Sequence, residues 1–497
     1  MMKIIIAGRS LLRGFFCFLL WCVIGCAVGP DFHRPAPPSV DRYTPGSIPG
    51  KTVAADGGSQ RFAEEARLVS DWWKLFNSSN LDSAVDEAMA NNQNLQAAQA
   101  SLRQSQDNLR AGDGVFYPQI YAGAEASRQK SSSAVMGGKT PSTIFNLFTL
   151  SGTVSYALDV FGGQRRAVES LGAQADFQRA QVLAAYITVS GNVVNAVIAR
   201  AGYQEQIRAI EEMISLQQDQ IKITGAQAKA GLIPYVNLLS LQSQLASLEA
   251  TLPPVRQKLS QTEHLLATLA GRPPAEWTPQ RIDLQDLTLP AVLPVTLPSE
   301  LVRSRPDILA AEAQLHSASA GIGVATAAMF PSFTLNGSYG VGSNTSSSLF
   351  KNNSSFWNLG ANVTAPLFRG GTLWYGRQAA IDAYDASLAD YRQTVLTAFA
   401  QVADTLRALE HDAESVEAQS RALAASEETL RLIQANYQAG TATYVQVLIA
   451  NSQYQQAKIG YIQSRTQRFQ DTVALFVALG GGWWNTAGTE ANMSGHK

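Results

Sequence analysis

Residues 230–244 read AGLIPYVNLLSLQSQ, and residues 439–453 read AGTATYVQVLIANSQ. The two stretches share Ala-Gly, Tyr-Val, a leucine and Ser-Gln at equal offsets, about 210 positions apart. Agreement at so long a spacing indicates an internal duplication, which has to be recognised before a fold is assigned. The sequence therefore predicts two copies of one unit, with matching helix-to-helix turns at Gly231 and Gly440.

Two further sets of landmarks recur in the same order in both halves. Tyr117-Pro118 corresponds to Phe330-Pro331, and the glycine pair after Phe161 corresponds to the pair after Phe368-Arg369, with a slip of one residue. Residues 271–298 divide the copies and hold six of the chain's 20 prolines. Because proline ends a helix, this segment is predicted to be a linker.

Each copy carries two stretches with the two-residue periodicity of strands that have one apolar face and one mostly polar face. The clearest is 356–368, in which Trp357, Leu359 and Val363 alternate with asparagine, glycine and threonine. The other predicted strands are 119–128, 147–160 and 332–342. Segments rich in Ser, Gly and Asn, at about 129–146 and 343–355, join them as expected of hairpin tips.

Two proline-free segments, 164–229 and 372–439, are predicted to be helices that approach 100 Å in length at about 1.5 Å per residue. Both contain the alternating spacing of four and three residues that is typical of a coiled-coil seam. The seam residues are Ile207, Ile210, Ile214, Gln217 and Ile221 in the first copy, and Val402, Leu406, Leu409, Ala413, Val416, Ser420, Leu423, Glu427 and Leu430 in the second. The polar members indicate helices with one packed edge and one wet face.

The first 25 residues are typical of a secretion signal. They combine Lys3, Arg9 and Arg13 with an apolar stretch at 14–24 that is too short to span a bilayer. An ordinary signal peptide cut at another position is the alternative.

The signal ends at Gly25-Cys26, which resembles the bacterial lipobox, where a small residue precedes the cysteine that receives lipid. The chain's other cysteines, Cys17 and Cys22, lie inside the signal, so Cys26 would have no partner for a disulfide. Several acyl chains on one residue would anchor it stably. The next residue is Ala27 and not the aspartate that retains lipoproteins at the inner membrane, which favours the outer membrane.

The predicted organisation is a signal peptide at 1–25, a lipidated extended segment at 26–71, repeat 1 at 72–270, a proline-rich linker at 271–298, repeat 2 at 299–482 and a tail at 483–497. A soluble antiparallel sheet with one wet face would show the same strand pattern. The signal and lipobox favour strands that span a membrane. Since four strands cannot close a barrel and a sheet in lipid cannot have open edges, several chains are predicted to share one barrel.

The composition argues against nucleic-acid partners and catalysis. The formal net charge of −1 becomes more negative once the three basic residues of the signal are removed, which disfavours nucleic acid. No nucleophile elbow, phosphate-binding loop or metal-ligand spacing is found, and the five histidines are scattered. The chain is predicted not to be an enzyme and to need no cofactor beyond the lipid on Cys26.

Two motifs that could suggest a binding site are better explained by structure. Arg305-Pro306-Asp307 has proline and an acid where a helix begins, which predicts a helix start with a nearby ion pair. Trp72 and Trp73 are predicted to be packing anchors and not a platform for sugars.

These features together resemble the outer-membrane factor family, the TolC-like channels, and within it the lipid-anchored NodT-type efflux proteins. The resemblance covers nearly the whole mature chain. It rests on Cys26-Ala27-Val28-Gly29-Pro30-Asp31-Phe32, Arg34-Pro35, Asp71-Trp72-Trp73-Lys74-Leu75-Phe76, Asn92 with Leu95, and Leu301-Val302-Arg303-Ser304-Arg305-Pro306-Asp307-Ile308 with Ala311-Glu312.

The resemblance implies a mixed α and β membrane protein, in which three chains form a 12-strand transmembrane β-barrel, four strands per chain, continued by a long periplasmic α-helical barrel. It also implies a homotrimer in the outer membrane of a Gram-negative bacterium, in contact with lipid. Its partners would be a periplasmic adaptor and an inner-membrane RND transporter. The function implied is a passive exit duct for small molecules such as drugs.

Two alternatives remain. The same duct could serve type I protein secretion, with the lipobox favouring efflux only by analogy. A periplasmic coiled-coil adaptor is the alternative from another class. Adaptors carry one helical hairpin, whereas this chain has two long-helix units, each with a membrane-type hairpin.

The resemblance also implies a gate at the periplasmic end, formed by the turns at Gly231 and Gly440. Tyr437 stands where a gate tyrosine is found in the family. The family's gate arginine is replaced by Ala442, and its frequent acidic residues are replaced by Gln446 and Ile449, with Asn237 in the first copy.

Because amides present only dipoles where a carboxylate ring would attract cations, the sequence predicts an entrance of weak cation selectivity. It would be held shut mainly by packing and hydrogen bonds. In the alternative, these positions face neighbouring helices, and acids such as Glu427 or Glu428 line the pore.

Overall fold

The computed structural model describes residues 27–46, 50–56, 58–63, 68–132 and 141–483. In these ranges the protein is a mixed α and β structure with a helical majority. The helices are α1 Ser79–Asn91, α2 Gln93–Asp113, α3 Gly163–Lys229, α4 Tyr235–Glu249, α5 Leu252–Leu269, α6 Pro298–Ser304, α7 Pro306–Ala327, α8 Thr372–Gln438 and α9 Tyr444–Ala478. The strands are β1 Arg61–Ala63, β2 Gln119–Ser131, β3 Thr143–Leu158, β4 Val292–Pro294, β5 Ser332–Ser343 and β6 Ser355–Thr364. The predicted signal at 1–25, Cys26 and residues 484–497 lie outside the described residues.

Helices α3 and α8 are each 67 residues long and lie within one residue of the bounds predicted from the absence of proline. By length and composition alone, α3 is the one helix in the described ranges that could cross a membrane, and half of its most apolar window is buried. Val193, Val194 and Ile198, in the apolar part of α3, are at most 1% exposed. We therefore assign this part of α3 to the protein core.

The fold divides into two compact units, each of which draws on both halves of the chain. The first unit, here the sheet unit, contains the described residues of Met1–Pro35, Leu102–Gln178 and Ala311–Tyr391. The second, here the helical unit, contains those of Ala36–Ser101, Arg179–Ala310 and Arg392–Lys497.

The sheet unit is organised around four antiparallel strands in the order β2-β3-β5-β6. All four lie within a few residues of their predicted positions. Strands β2 and β3 extend further into the polar hairpin segment than expected. Strand β6 ends at Thr364 and not at 368, because Pro366 lacks the N–H that a further ladder bond would need.

The helical unit is held by the seam residues of α8. Val402, Leu406, Leu409 and Ala413 are fully buried and Val416 is 1% exposed, as the heptad spacing predicted. Beyond Val416 the seam opens. Ser420, Leu423 and Leu430 are half-buried, and Glu427 is exposed.

A polar seam residue of α3 is also buried. Gln217 is 2% exposed, and its amide exchanges hydrogen bonds with two other amide side chains. Asn451 Nδ2 donates to Gln217 Oε1 at 2.8 Å, and Gln217 Nε2 donates to Gln244 Oε1 at 3.3 Å. Burial of Gln217 in the seam of the first copy therefore costs little free energy, because the hydrogen bonds of its amide are satisfied inside the protein.

Two tryptophans anchor the entry to α1. Trp72 is 1% exposed and stacks on Phe476 of α9 with ring centroids 5.3 Å apart, while Trp73 is 2% exposed. Phe76 packs on Phe469 of the same helix. The prediction that these tryptophans are packing anchors is confirmed.

Arg305 joins three parts of the helical unit. It lies directly before α7, as the predicted helix start required, and pairs with Asp307 at 2.9 Å. Its side chain is 9% exposed. The guanidinium also donates to the backbone oxygen of Ala478 at 2.9 Å, to that of Ala398 and to Gln401. The Ala478 carbonyl ends α9 and has no acceptor role within its helix, so Arg305 acts as a C-terminal cap as well as a cross-link.

A pair of carboxyl groups links α8 to α9 nearby in the helical unit. Burial, and next the adjacent carboxylate of Asp471, raise the pKa of Asp412 to about 8, and Arg468 acts in the opposite direction. One oxygen of Asp412 is shielded from solvent with no hydrogen-bond donor among the described residues. A proton on Asp412 converts two facing acceptors into a donor and an acceptor, so the neutral form suits this site.

We predict that Arg305→Ala destabilises the folded protein by about 3 kcal/mol, because it leaves Asp307 without its cation and the buried carbonyl of Ala478, at the end of α9, without its donor. Arg305→Lys should cause an intermediate loss, since one ammonium cannot reach all the acceptors. Thermal unfolding in mild detergent provides the measurement. The control is Arg303→Ala, because Arg303 is exposed and lies two residues earlier; equal losses in the two alanine variants would contradict the role of Arg305.

We predict that stability falls as pH rises through the Asp412 titration. A folded-state pKa of about 8, against an ordinary 3.8, gives stability that is fully present below pH 3.8 and lost as pH rises through 8. Asp412→Asn should flatten this dependence and raise the unfolding temperature above pH 8. Asp404→Asn, at an exposed position of α8, is the control. An unchanged pH profile in Asp412→Asn would show that the pair does not titrate in this range.

Candidate functional site

The four-stranded sheet has two chemically different faces. Strand register places Trp357 opposite Tyr339, which lies opposite Gly152, so these residues share one face. Over most of the sheet the face consists of Ile120, Ala122, Ala124 and Ala126 on β2, Phe148, Leu150, Gly152, Val154, Tyr156 and Leu158 on β3, Phe333, Leu335, Gly337, Tyr339 and Val341 on β5, and Trp357, Leu359, Ala361 and Val363 on β6. Near the hairpin tip it also carries Arg128 and Lys130 on β2 and Ile144 and Asn146 on β3. We call it the apolar face.

The apolar face is uncovered in the isolated chain. Trp357 is 72% exposed and Leu359 is 78% exposed. A contiguous apolar surface of this kind marks contact with lipid or with another protein.

The opposite face is mostly polar, and we call it the polar face. Its residues on the inner strands are hydroxyls, amides, glycines and an alanine over most of the sheet. They are Thr149, Ser151, Thr153, Ser155 and Ala157 on β3, and Thr334, Asn336, Ser338, Gly340 and Gly342 on β5. Toward the hairpin tip, β3 also places Leu147 and Phe145 on this face. The outer strands add Gln119, Tyr121, Gly123, Glu125, Ser127 and Gln129 on β2, and Phe356, Asn358, Gly360, Asn362 and Thr364 on β6. Such a surface suits water.

The two outer strands leave backbone groups available. Within the described residues, β2 pairs only with β3, and β6 pairs only with β5. The sheet therefore has two open edges. Each edge can accept a further strand.

The segment that follows Cys26 is tied to the sheet unit. We call residues 27–34 the strap. The backbone N–H of Val28 donates to the oxygen of Phe161 at 3.0 Å. Gly29 has a φ of +93°, and a Cβ there would lie 2.5 Å from the Cα of Gly323. Only glycine fits this position without movement, because it combines a left-handed backbone with contact between two backbones.

Charged and aromatic groups hold the strap further along. Arg166, with a side chain that is 6% exposed, binds Asp31 at 2.6 Å and Glu169 at 2.7 Å. Phe32 stacks on His316 with centroids 4.3 Å apart, and His316 Nε2 lies 2.9 Å from Glu169. The strap is thus held in place through a continuous set of ion pairs and ring contacts.

The ion pairs of the strap stabilise the ionised form of the carboxylates that take part in them. The hydrogen bond from Arg166 lowers the pKa of the Asp31 carboxyl. Burial alone would raise the pKa of Glu169, but hydrogen bonds from Arg166 and His316 hold it below its usual value. A second ion pair joins Arg34 to Glu312 at 2.6 Å. Both carboxylates around Arg166 therefore stay ionised at neutral pH.

The sequence predicted Cys26 as a lipid site but not the strap. The strap residues form part of a motif that is visible in the sequence, whereas nothing in the sequence indicates their partners Arg166, Glu169 and His316. One signal was available. Gly29 beside a proline and an acid suggests a close backbone approach near a charge, although it cannot indicate where the partner lies.

The two helix-to-helix turns of the helical unit have the same geometry. At the end of α3, Leu232 N–H donates to the oxygen of Gln227 at 3.0 Å, and Gly231 has a φ of +74°. At the end of α8, Thr441 N–H donates to the oxygen of Asn436 at 2.9 Å, and Gly440 has a φ of +79°. Both are Schellman motifs, in which glycine takes the left-handed position.

The residues singled out as a gate lie on or beside these turns. Tyr437 is half-buried, and its ring centroid lies 5.9 Å from that of Tyr444. Gln446 closes a capping box, in which its Oε1 accepts from the Thr443 N–H at 2.7 Å. Part of its hydrogen-bonding capacity is therefore used to start α9.

The other two gate residues differ in exposure. Ile449, on the next turn of α9, is 53% exposed, and Asn237, at the start of α4, is half-buried. In the described ranges no group of three or more His, Cys, Asp or Glu side chains could hold a metal ion.

Comparison with known proteins identifies the fold and the family. The model of the outer membrane efflux protein family matches residues 84–272 and 297–481. The pyoverdine export outer membrane protein OpmQ of Pseudomonas aeruginosa is 32% identical over 427 residues, which are 84% of this chain and 89% of that protein.

Two further matches cover almost the whole chain. The cation efflux system protein CusC of Escherichia coli strain K12 is 28% identical over 473 residues, 94% of this chain and 98% of that protein. The solved structure of the outer-membrane channel OprN has a TM-score of 0.83 and 26% identity, and the match covers 92% of this chain and 100% of that one.

We predict that Gly29→Ala releases the strap, because its Cβ would collide with the backbone of Gly323. Hydrogen exchange measured by mass spectrometry should show faster exchange at residues 27–34. Gly46→Ala separates this collision from backbone strain, because Gly46 has a similar φ of +85° but no atom within 4 Å of an added Cβ. Unchanged exchange in Gly29→Ala would contradict the contact.

Proposed function

The chain belongs to the outer membrane efflux protein family, and we propose that it is the passive exit duct of a tripartite efflux system that exports small molecules across the outer membrane. Members of this family are outer-membrane efflux channels of Gram-negative bacteria and not enzymes. The relatives found are named for the export of pyoverdine and for cation efflux. In this proposal the exported class is small molecules rather than proteins, and the pump selects among them.

The observation that carries the proposal is a two-faced sheet with two open edges. In our proposal three chains join edge to edge, β6 of one against β2 of the next, and form a barrel of 12 strands. The apolar face then contacts lipid and the polar face surrounds a water-filled pore. This arrangement satisfies the edge groups that would otherwise cost several kcal/mol each in hydrocarbon.

The long helices continue the duct into the periplasm in this proposal. Helices α3 and α8 provide one stave each, and α4 with α5 and α9 provide the others. The two copies of one unit at 72–270 and 299–482 account for the equal lengths of α3 and α8 and for the matching Schellman turns. The interleaved composition of the two compact units supports the same duplication.

The turns at Gly231 and Gly440 form the inner end in our proposal. Tyr437, Gln446, Ile449 and Asn237 narrow it, with packing of Tyr437 on Tyr444 favouring the closed state. A periplasmic adaptor and an inner-membrane RND transporter would engage this end. Lipid on Cys26 would anchor each chain, and the strap supports this role because it holds the adjoining residue, Ala27, against Gly162.

Two neighbouring residues of β6 offer the test. Leu359→Lys places a charge on the apolar face, and Asn358→Lys places the same charge on the polar face. A lysine facing the middle of a bilayer costs roughly 2–4 kcal/mol, whereas a lysine in a water-filled lumen costs little. We predict that only Leu359→Lys reduces the amount of folded protein in the outer membrane.

The mass of the detergent-solubilised protein and the efflux of a dye provide two independent measurements. Wild type and Asn358→Lys should have three times the chain mass, and the wild-type gene should restore dye efflux in a host that lacks its own duct but has the partner pump and adaptor. A folded monomer, or equal tolerance of both lysines, would contradict the barrel. A trimer with no restored efflux would contradict the function alone.

A further inference from the structure

The polar face of the sheet carries one charged residue. In the described parts of β2, β3, β5 and β6, Glu125 is the sole Asp, Glu, Lys or Arg whose register places it there. It is the seventh of the 13 residues of β2, so it lies midway along the strand. The other ionisable side chains of β2, Arg128 and Lys130, alternate onto the opposite face nearer the hairpin tip.

The surroundings of Glu125 leave its charge uncompensated. Its side chain is exposed, and among the described residues none forms an ion pair or hydrogen bond with it. Its cross-strand neighbour is Thr149, which lies opposite Gly342 on the next strand. Small and uncharged neighbours give the carboxylate room and no counter-charge.

By contrast, the negative charge of Asp159, at the end of the neighbouring strand β3, is neutralised by an ion pair. Asp159 directly follows β3, and its carboxylate pairs with Arg165 at 3.1 Å. It also accepts the backbone N–H groups of Gln164 and Arg165, where α3 begins. Asp159 is therefore a helix cap, and Glu125 is left as the source of net charge on the polar face.

We propose that Glu125 sets the charge preference of the barrel and makes it favour cations over anions. The inference rests on the proposed trimeric duct, in which three copies of Glu125 form a ring at one height of the pore. Selectivity of this kind comes from a ring of carboxylates in a lumen that has no compensating charge. It lies in the barrel and is separate from the inner end at the Gly231 and Gly440 turns.

The size of the preference follows from screened electrostatics. Three carboxylates about 10 Å from the pore axis, acting through water, enrich cations about twofold and deplete anions about twofold at 0.1 M salt, so the ratio of cation to anion permeability changes by about fivefold. At 0.01 M the Debye length is roughly 30 Å, and the same charges change this ratio by about twentyfold. The effect should therefore grow as salt is diluted.

Reversal potentials of the purified full-length protein in planar bilayers, under a potassium chloride gradient, test this inference. Glu125→Gln should lower the permeability ratio by these factors at the two salt concentrations, and Glu125→Asp should preserve it. Arg128→Gln, which removes a charge from the opposite face of the same strand, is the matched control. An unchanged ratio in Glu125→Gln would overturn the proposal.

Thiol labelling separates failure of the inference from failure of the duct. Cysteines introduced as Glu125→Cys and Thr153→Cys place thiols on the polar face, and Ala124→Cys places one on the apolar face. An anionic methanethiosulfonate should restore cation preference in Glu125→Cys, and a cationic one should reverse it. Both reagents should change the conductance of Thr153→Cys and leave Ala124→Cys unaffected.

The two possible failures then differ. If reagents act on Thr153→Cys but Glu125→Gln keeps the wild-type ratio, the duct stands and Glu125 does not determine its preference. If reagents act on neither polar-face cysteine, the polar face does not line a pore, and the proposed function fails together with the inference.

Discussion

Backbone hydrogen bonding at the edges of the sheet is the constraint on which the architecture depends. Within the chain, β2 and β6 each have one partner, so a row of N–H and C=O groups on each remains open. Hydrocarbon offers these groups no alternative partner, and every strand of a membrane-spanning sheet must have two neighbours. The same constraint explains why Pro366 falls just beyond the last paired residue of β6, where its missing N–H costs nothing.

Local pattern predicted the elements because their causes are local. Alternation with a period of two located all four main strands within a few residues, and the absence of proline located both 67-residue helices within one. The buried seam from Val402 to Val416 followed from heptad spacing alone. Apolar alternation predicts β6 as far as residue 368, but the missing donor of Pro366 ends the strand at Thr364.

Partners distant in sequence could not be predicted, because composition and spacing do not determine which surfaces meet. The acceptors of Arg305 include the main-chain oxygens of Ala398 and Ala478, and a carbonyl has no sequence signature. The strap shows the same limit, since its motif was visible and its binding surface was not. Gln446 shows a second limit. The sequence predicts its side chain at the pore entrance, whereas in the structure this side chain caps the start of α9.

The contacts of the strap also constrain the order in which parts of the protein can fold. Arg34 and its partner Glu312 are 278 positions apart, and Asp31 and Arg166 are 135 apart. In a chain delivered from its amino end, the first of these contacts must wait until most of the polypeptide has emerged, and closing so long a loop is entropically costly. Residues that leave the secretion machinery first must thus wait for a late partner before they reach their final positions, and their docking requires that the start of the second repeat has already arrived.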